Sequence, residues 1–212
     1  MAASWVREGK AELAVQKILD GAARAFVDLG VSQAGMNEIA RYAGCSRGTL
    51  YRYFGNRHEL HLAFVSDRAM RLVAELQVEL QSIEDPSEQL TAYILGAIRK
   101  VRENPSMSAW FEPAESGIAA RMSRGSEVIA SLAGAFESNI ESQAASLAAS
   151  GMRARWVVRV IVSLLTMPGE SEEEERLAVE HFVVPLFMTR PGREPAFPGA
   201  LRGNRLPGFR SR

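Results

Sequence analysis

Apolar residues recur about every 3.6 positions along almost the whole chain, and stretches with the two-residue alternation of a β-strand are nearly absent. This period predicts an all-α protein. The first helix is expected from about residue 10 to residue 29, with Gly30 as its left-handed C-terminal stop. The 212 residues, 47% of them hydrophobic, suffice for a packed core. The inward stripe of the first helix is Ile18, Ala22, Phe26 and Leu29.

Glycine, proline and capping residues divide the remaining chain into further helices. Two short helices are expected over residues 36–43 and 47–53, and Asn56 is placed to cap a long helix that reaches about Gln81. A proline-broken stretch follows between residues 104 and 125. Four further helices are predicted over residues 87–103, 126–150, 152–167 and 171–188, and with the short helical pieces of the proline-broken stretch the total is about nine.

The last predicted helix has the clearest start signal in the second half of the chain. Ser171 and Glu174 form a capping box, and the acidic run at residues 172–175 lies where the helix dipole favours negative charge. The simplest interpretation of this run is a solvated helix start. Pro185 is expected to bend the helix near its end.

The two short helices have the dimensions of a helix-turn-helix, whose second helix can lie in the major groove of DNA. Gly44 separates them and Ser46 is placed to cap the second. Between residues 41 and 58 there are four arginines and no acidic residue. Because the whole chain carries 25 basic and 25 acidic side chains, any DNA binding must come from this local patch. The small core of the unit is predicted to contain Ile39, Ala40, Cys45, Leu50 and Phe54.

The segment IARYAGCSRGTLYRYFGNRHEL, residues 39–60, resembles the DNA-binding region of the tetracycline-repressor (TetR) family of bacterial transcriptional regulators, and the likeness reaches back to Ile18. The resemblance implies a DNA-binding domain with an N-terminal arm over residues 1–55. It also implies a helical effector-binding and dimerisation domain over residues 56–189, of which residues 56–81 are the connecting helix. A basic tail, residues 190–212, is expected to be flexible.

The resemblance assigns DNA contacts residue by residue. Arg47, Gly48 and Thr49 fall at the end of the recognition helix that enters the groove. Arg47 has the two-pronged donor geometry that reads guanine, Thr49 is suited to a base or a phosphate, and Gly48 lets the backbone approach closely.

The aromatic and basic residues that follow complete the predicted DNA contacts. Tyr51 and Tyr53 match family positions that contact the DNA backbone or adjacent bases, and Arg57 matches a position that contacts phosphate. Arg52 lies in the same stretch, and a base contact, a phosphate contact and a solvated surface position all remain open for it. Family members often have threonine or serine where this chain has Ala34-Gly35, so Asn37 or Gln33 is a candidate for the missing phosphate contact.

A two-fold dimer is predicted because one helix-turn-helix covers only half of an operator. Apolar residues of the segment 156–165 cover more than one helical face, so the surplus face is expected to meet a second subunit together with the last helix. The alternative is a central core helix in a monomer. The predicted interface residues are Val157, Val160, Ile161, Leu164, Phe182 and Leu186.

An effector pocket is predicted around the proline-broken segment, where large adaptable side chains suit an apolar small molecule. Family members typically bind an effector between the middle helices, although such a stripe is also compatible with plain core. The candidate lining residues are Tyr93, Met107, Trp110, Phe111, Ile118, Met122, Phe136 and Trp156.

Other functional classes leave no signature in the sequence. There is no glycine-rich phosphate loop, HExxH or GxSxG motif, and Glu112 with Glu115 is an acidic pair without a partner histidine. A single cysteine, Cys45, and three histidines favour neither disulfides nor a metal site, and His58 and His61 are interpreted as packing residues. No catalytic residue, cofactor, signal peptide or membrane segment is therefore expected.

The sequence as a whole predicts a cytoplasmic, homodimeric transcriptional regulator that binds a pseudo-palindromic operator of double-stranded DNA. Its leading interpretation is a repressor that a small apolar effector releases, and activation stays open beside it. The alternative is a helical small-molecule-binding or interaction protein without sequence-specific DNA binding. A helical enzyme or transport module is a further class, for which the motifs above give no support.

Overall fold

The computed structural model of the chain describes residues 2–113, 115 and 147–188. These residues form helices joined by turns, with no strand among them, and this confirms the all-α fold. A π-helical turn, Val179–Val183, lies between the last two helices. The helices are α1 (Ala2–Leu29), α2 (Met36–Ala43), α3 (Arg47–Tyr53), α4 (Arg57–Leu80), α5 (Pro86–Glu103), α6 (Pro105–Ser108), α7 (Leu147–Thr166), α8 (Glu172–Ala178) and α9 (Val184–Met188).

Most helix ends in the first half of the chain fall where the capping residues predict. Gly30 and Gly44 adopt left-handed backbone angles, with φ of 82° and 64°, and end α1 and α2. Asn56 caps α4 by accepting a hydrogen bond from the Glu59 amide. Helix α5 starts slightly earlier than predicted because Asp85 caps it and Pro86 occupies its first turn. Helix α1 extends to Ala2, about two turns before the predicted start.

The predicted helix boundary at Gly151 is wrong. Helix α7 runs without a break from Leu147 to Thr166, so Gly151 lies inside it. A glycine in a helix interior costs only about 1 kcal/mol, and burial of Ala154 and Val157 further along the same helix offsets this cost. The other residues of the predicted helix over 126–150, up to residue 146, lie outside the described part of the chain.

The last helix is divided by the π-helical turn, in which the Val184 amide bonds to the Val179 carbonyl. Pro185 lies two positions after the end of this turn and has no amide hydrogen to continue the ordinary hydrogen-bond ladder, which favours the wider turn before it. At the start of α8 the Ser171 side chain accepts from the Glu174 amide, as the capping box predicts. Glu175, however, is buried and paired with Arg102, so the acidic run is not wholly solvated.

The first core joins α1, α2 and α3 to the beginning of α4. Its largest buried side chains include Phe26, Ile39, Leu50 and Phe64. Trp110, from the turn after α6, also packs into this core, although it is far along the chain from the other members. The N-terminal helices therefore share their core with a segment from the second half of the chain.

The second core is formed by α5, α7 and the C-terminal helices. Ile94, Ile98, Val157 and Val179 are its most buried members. The predicted inward face of α5 is confirmed, since all five of its residues are buried, namely Leu90, Ile94, Ala97, Ile98 and Val101. Phe111 packs against both cores and lies at their junction.

Helices α1 and α2 cross in unusually close contact. A β-carbon built on Gly21 would lie 2.6 Å from the Ala43 Cα and 2.6 Å from its amide nitrogen. Because these are backbone atoms of the neighbouring helix, no side chain can be added at Gly21 without moving α2. Gly21 thus sets the position of the helix-turn-helix on α1.

Candidate nucleic-acid interface

The turn between α2 and α3 is fixed by hydrogen bonds at both of its ends. The Gly44 amide bonds to the last carbonyls of α2, and the Cys45 amide bonds to the Ala40 carbonyl at 3.0 Å. The Ser46 hydroxyl then accepts from the Thr49 amide at 3.0 Å and lies 2.9 Å from the Thr49 hydroxyl. These bonds satisfy helix-terminal groups that would otherwise be unpaired, and they hold α3 at a defined angle to α2.

Helix α3 is amphipathic, with an apolar side toward the core and a polar side toward solvent. Leu50 is completely buried and Phe54 nearly so, which confirms their predicted place in the core. On the outer side Arg47, Gly48 and Arg52 are exposed. The remaining predicted contacts are less open, since Tyr51 is 40% exposed and Thr49 and Tyr53 are half-buried.

Each tyrosine on α3 lies beside an arginine guanidinium. The guanidinium carbon of Arg47 is 5.3 Å from the Tyr51 ring centroid, and that of Arg52 is 5.2 Å from the Tyr53 ring centroid. Such cation–π contacts at exposed positions stabilise the arrangement of the two side chains by about 0.5–1 kcal/mol. Each exposed arginine of α3 therefore lies beside an aromatic ring of the same helix.

Arg57 points into the protein instead of toward solvent. Its Nη2 donates to the backbone carbonyls of Val31 and Ser32, and its Nε donates to His61 Nε2 at 3.3 Å. These acceptors belong to the turn between α1 and α2 and to α4. In this structure Arg57 clamps that turn to α4, whereas the family resemblance implies a phosphate contact.

The start of α2 lacks a side-chain cap, because a glycine stands at its N-cap. Gly35 occupies the N-cap position in an extended conformation and makes no side-chain hydrogen bond there. Asn37, the predicted substitute for a hydroxyl contact, is exposed in the first turn of α2. The same helix carries Arg41, whose guanidinium lies 5.6 Å from the Tyr42 ring centroid.

Two charged residues near this face were not singled out from the sequence. Arg24 of α1 donates to the Tyr42 carbonyl at 2.7 Å and so ties α1 to the end of α2. Glu59 accepts from the Gly55 amide at 2.9 Å and from the Asn56 side chain at 2.7 Å, which braces the α3–α4 turn. The sequence did carry a signal for Glu59, because an acid three positions after the cap Asn56 has the spacing of a capping box.

Comparison with known proteins identifies the class of this interface. Residues 18–64 match the model of bacterial regulatory proteins of the tetR family. Over 182 residues, the chain is 42% identical to the uncharacterized HTH-type transcriptional regulator Rv1255c of Mycobacterium tuberculosis. That alignment covers 86% of this chain and 89% of the relative. The chain belongs to the TetR family of transcriptional regulators.

Solved TetR-family structures share the fold of this regulator. The repressor AlkX from Dietzia sp., implicated in biodegradation of n-alkanes, superposes with a TM-score of 0.66 at 18% identity over 81% of this chain and 94% of AlkX. RolR in complex with resorcinol gives a TM-score of 0.58 at 18% identity over 84% of this chain and 89% of RolR. At these identities the comparison shows a common fold.

The candidate pocket residues of this TetR-family protein do not all lie together. Tyr93 and Met107 pack against the second core, and burial raises the pKa of the Tyr93 phenol to about 12. Trp110 belongs to the first core, Phe111 touches both cores and Trp156 is 46% exposed. The other three candidates, Ile118, Met122 and Phe136, lie outside the described residues.

The candidate interface residues divide in a similar way. Val157 is 1% exposed and packs in the second core, so it has no surface left for a partner subunit. Val160, Ile161 and Leu164 are half-buried against the same core. The two from the C-terminal helices, Phe182 and Leu186, are 76% and 56% exposed.

Neither a metal site nor a membrane span is found in the part of the chain that the structure describes. Among those residues, no three His, Cys, Asp or Glu side chains are grouped so that they could hold a metal ion. The helices described there also lack the length and apolar character needed to cross a bilayer.

Proposed function

We propose that this TetR-family regulator binds a pseudo-palindromic operator as a homodimer and acts as a repressor that a small apolar effector releases. The observation that carries the proposal is the outer side of α3, where Arg47, Gly48 and Arg52 are exposed beside the partly exposed Tyr51. In this proposal residues 1–55 bind DNA and residues 56–189 bind the effector and the second subunit. The basic tail at residues 190–212 lies outside the described part of the chain.

Helix α3 is suited to direct readout in the major groove. Arg47 stands at its N-terminal end, where a two-pronged guanidinium can donate to both acceptors of a guanine. Gly48 beside it has no side chain, and among the described residues outside its own stretch of helix backbone only the Ser46 hydroxyl, at 3.9 Å, lies within 4 Å of a built β-carbon. DNA backbone can therefore approach α3 closely at this point. Tyr51 and Tyr53 then serve as contacts to the DNA backbone or to adjacent bases.

An exposed apolar surface on the C-terminal helices supports the homodimer. Phe182 and Leu186, four positions apart in these helices, are the most exposed, and Leu177 is 45% exposed. Large apolar side chains grouped on a surface mark sites of protein association. A two-fold contact through this surface would provide the second α3 that a palindromic operator needs.

The repressor mechanism we propose uses α4 as the link between the two halves. Leu60 and Phe64 at the start of α4 lie in the first core, and Leu72 further along packs against the second. An effector that binds one packing of the second core more tightly shifts the population toward it and changes the spacing of the two α3 helices. RolR, which was solved with resorcinol, supports a small effector, and AlkX, which is implicated in biodegradation of n-alkanes, supports an apolar one.

The DNA-binding proposal is tested by selection of bound fragments from random DNA, followed by affinity measurements at fixed salt. Arg47→Ala and Tyr51→Ala are expected to abolish retention on the selected operator while helicity and dimerisation are unchanged. Arg99→Ala is the matched control, since Arg99 is an exposed arginine of α5 with long ion pairs to Glu79 and Glu103. Selection of no sequence would instead favour an interaction protein without sequence-specific DNA binding.

The dimer is tested separately by sedimentation equilibrium. Phe182→Asp is expected to give monomers, because a charge at the centre of an apolar contact cannot be solvated there. Val78→Asp is the control, because Val78 is 67% exposed on α4, away from the proposed surface. A Phe182→Asp protein that dimerises as tightly as the wild type would refute this interface.

The repressor role is tested with two effector probes of different polarity, decane and resorcinol. The apolar probe is expected to bind and to lower operator affinity, and a reporter gene under the selected operator should then be released from repression. Equal operator affinity with and without a probe that demonstrably binds would exclude release by an effector.

A further inference from the structure

Glu115, which lies shortly after α6, makes a contact that bridges the two halves of the chain. Its Oε1 accepts from the Ser32 amide at 3.0 Å and from the Ser32 hydroxyl at 2.7 Å, across 83 positions of sequence. Ser32 lies in the turn between α1 and α2. The carboxylate therefore reaches from the half that we propose to bind the effector to the turn that leads into the helix-turn-helix.

The Ser32 backbone is held from its other side by Arg57. The Arg57 Nη2 donates to the Ser32 carbonyl at 2.8 Å and also to the Val31 carbonyl. Glu115 thus holds the amide and hydroxyl of Ser32, while Arg57 holds its carbonyl. Hydrogen bonds between a charged and a neutral group are stronger than neutral ones, so both partners contribute to fixing this turn.

Gly30 makes room for the carboxylate. A β-carbon built on Gly30 would lie 3.0 Å from Glu115 Oε1, closer than such carbons ordinarily approach. Gly30 also has a φ of 82°, which side chains rarely adopt. The glycine that ends α1 therefore permits the contact of Glu115 with the turn that follows.

The start of α2 depends on this turn because it has no side-chain cap of its own. Gly35, at the N-cap, makes no side-chain hydrogen bond. Within the turn the Ala34 amide bonds to the Gly30 carbonyl at 3.1 Å, and the Ile39 amide bonds to the Gly35 carbonyl at 3.0 Å. A displacement of the turn would therefore pass directly to α2 and, through the fixed α2–α3 turn, to α3.

Burial of Trp110 and Glu115 leaves two polar atoms without a hydrogen-bond partner in the described part of the chain. Glu115 is 6% exposed, and among the described residues its Oε2 has no hydrogen-bond partner. The Trp110 Nε1, in the same segment, is also buried without a partner there. Unpaired buried polar groups oppose burial, so the docked segment is held by the Trp110 ring and the Ser32 contact against a desolvation cost.

We propose that Glu115 is a positioning residue for DNA recognition, which acts by fixing Ser32 and, through it, the α1–α2 turn and the placement of α2 and α3. This inference rests on the proposed function, because it takes α3 as the element that reads the operator. It gives the second half of the chain a connection to the DNA-binding helices that does not pass along α4.

The test uses the full-length protein with Glu115→Ala, Glu115→Gln and the control Glu112→Ala. Glu112 is an exposed acid three positions earlier. Loss of both hydrogen bonds to Ser32 is expected to weaken binding to the selected operator by about tenfold, which is about threefold for each bond. Glu115→Gln keeps an oxygen acceptor and should recover most of that loss, while Glu112→Ala should bind as the wild type does.

A purely structural role is separated from positioning by two further measurements. Affinity for a non-operator duplex should stay unchanged in Glu115→Ala, because non-specific binding depends on charge and not on the placement of α3. Hydrogen exchange at the Ser32 amide should be faster in Glu115→Ala and close to wild type in Glu115→Gln. Equal loss of operator and non-operator binding, or wild-type affinity and exchange in Glu115→Ala, would overturn the inference.

Two outcomes outside this pattern are also decisive. If Glu115→Ala does not fold, Ser32→Ala carries the test, since it removes the hydroxyl donor alone and is expected to weaken operator binding by about threefold. Wild-type operator affinity in Ser32→Ala would then overturn the inference.

If the wild type selects no DNA sequence, the proposed function fails. Unchanged hydrogen exchange at the Ser32 amide in Glu115→Ala would then refute the contact between Glu115 and Ser32 by itself.

Discussion

The Arg47 guanidinium stacks on the ring of Tyr51, one turn further along α3, with 5.3 Å between the guanidinium carbon and the ring centroid. This support aims the guanidinium before DNA is bound. We therefore expect Arg47→Lys to lower discrimination at one guanine of the half-site by at least about 1 kcal/mol, because an ammonium lacks the two-pronged geometry. Affinity for non-operator DNA should change little, since the charge is kept.

Fluorescence anisotropy with the selected site and single-base variants measures this discrimination. Arg99→Lys is the matched control, because it makes the same exchange at an exposed arginine of α5 that takes no part in the proposed DNA contacts. If Arg47→Lys discriminated among bases as well as the wild type, Arg47 would not be the residue that reads guanine.

Two helix glycines should respond differently to alanine. At Gly21 the added carbon would lie 2.6 Å from Ala43 backbone atoms, whereas at Gly96 it would meet only the Leu76 Cδ2 at 2.9 Å. Leu76 can rotate away but the α2 backbone cannot, so Gly21→Ala should destabilise the protein by about 1–3 kcal/mol despite its better helix propensity. Gly96→Ala should change stability by less than about 1 kcal/mol. Urea unfolding compares the two, and equal midpoints would mean that the α1–α2 crossing can widen freely.

His61 should make stability depend on pH. It is 5% exposed between the rings of Phe26 and Trp110, and burial, together with the nearby Arg57 charge, lowers its pKa to about 4 from the ordinary 6.5. As the pH falls, His61 therefore takes up a proton at a higher pH in the unfolded chain than in the folded protein. The free energy of unfolding is unaffected by the titration of His61 above pH 6.5. Between pH 6.5 and about pH 4 it falls progressively, by up to about 3 kcal/mol.

Urea unfolding between pH 7.5 and pH 4 tests this dependence. His61→Gln cannot titrate and keeps an acceptor for Arg57, so it should flatten the slope below pH 6.5. The exposed His58 provides the control His58→Gln, which should keep the wild-type slope. An unchanged slope in His61→Gln would assign the dependence to other groups.

The ion pair of Arg102 and Glu175 should be costly to break from the arginine side. Glu175 is 4% exposed, and its two oxygens accept from Arg102 at 2.9 and 2.7 Å. Arg102→Met would leave this carboxylate buried without its partner, at a cost of about 3 kcal/mol. Arg176→Met, at a more exposed pair with Glu173 and Glu180, should cost less than about 1 kcal/mol.

Acid titration of the same variants provides a second measurement. The hydrogen bond from Arg102 lowers the pKa of Glu175 from its ordinary 4.5. The wild type therefore loses this stabilisation as the pH falls below 4.5, and Arg102→Met should lose none there. A similar acid response in both proteins would show that the pair does not control the titration of Glu175.

The local parts of the interface could be predicted because each depends on neighbours in sequence. Gly44, Ser46 and Asn56 act through backbone groups within a few positions, so their residue types were sufficient. Leu50 and Phe54 follow from the helical period in the same way. The length of the recognition helix and its outer face were therefore correct.

The contacts between distant segments could not be predicted from a single chain. Glu115 meets Ser32 across 83 positions, and neither residue type has a pattern that names the other. The hydrogen bonds of Arg57 to the Val31 and Ser32 carbonyls could not be predicted, because only the folded turn brings these carbonyls within its reach. Gly21, an isolated glycine inside a helical pattern, did carry a signal for a close contact, and it was not used.

The place of Trp110 in the first core bears on the construction of chimeric biosensors, in which the DNA-binding end of one repressor is grafted onto the sensing end of another. A joint at residue 55 would separate Phe26 from its ring contacts with His61, Phe64 and Trp110. A recipient sensing domain without an indole at the position of Trp110 would leave a cavity beside Phe26 of α1. Grafts of this regulator should therefore carry the segment around Trp110, or a ring of the same size, along with the helix-turn-helix.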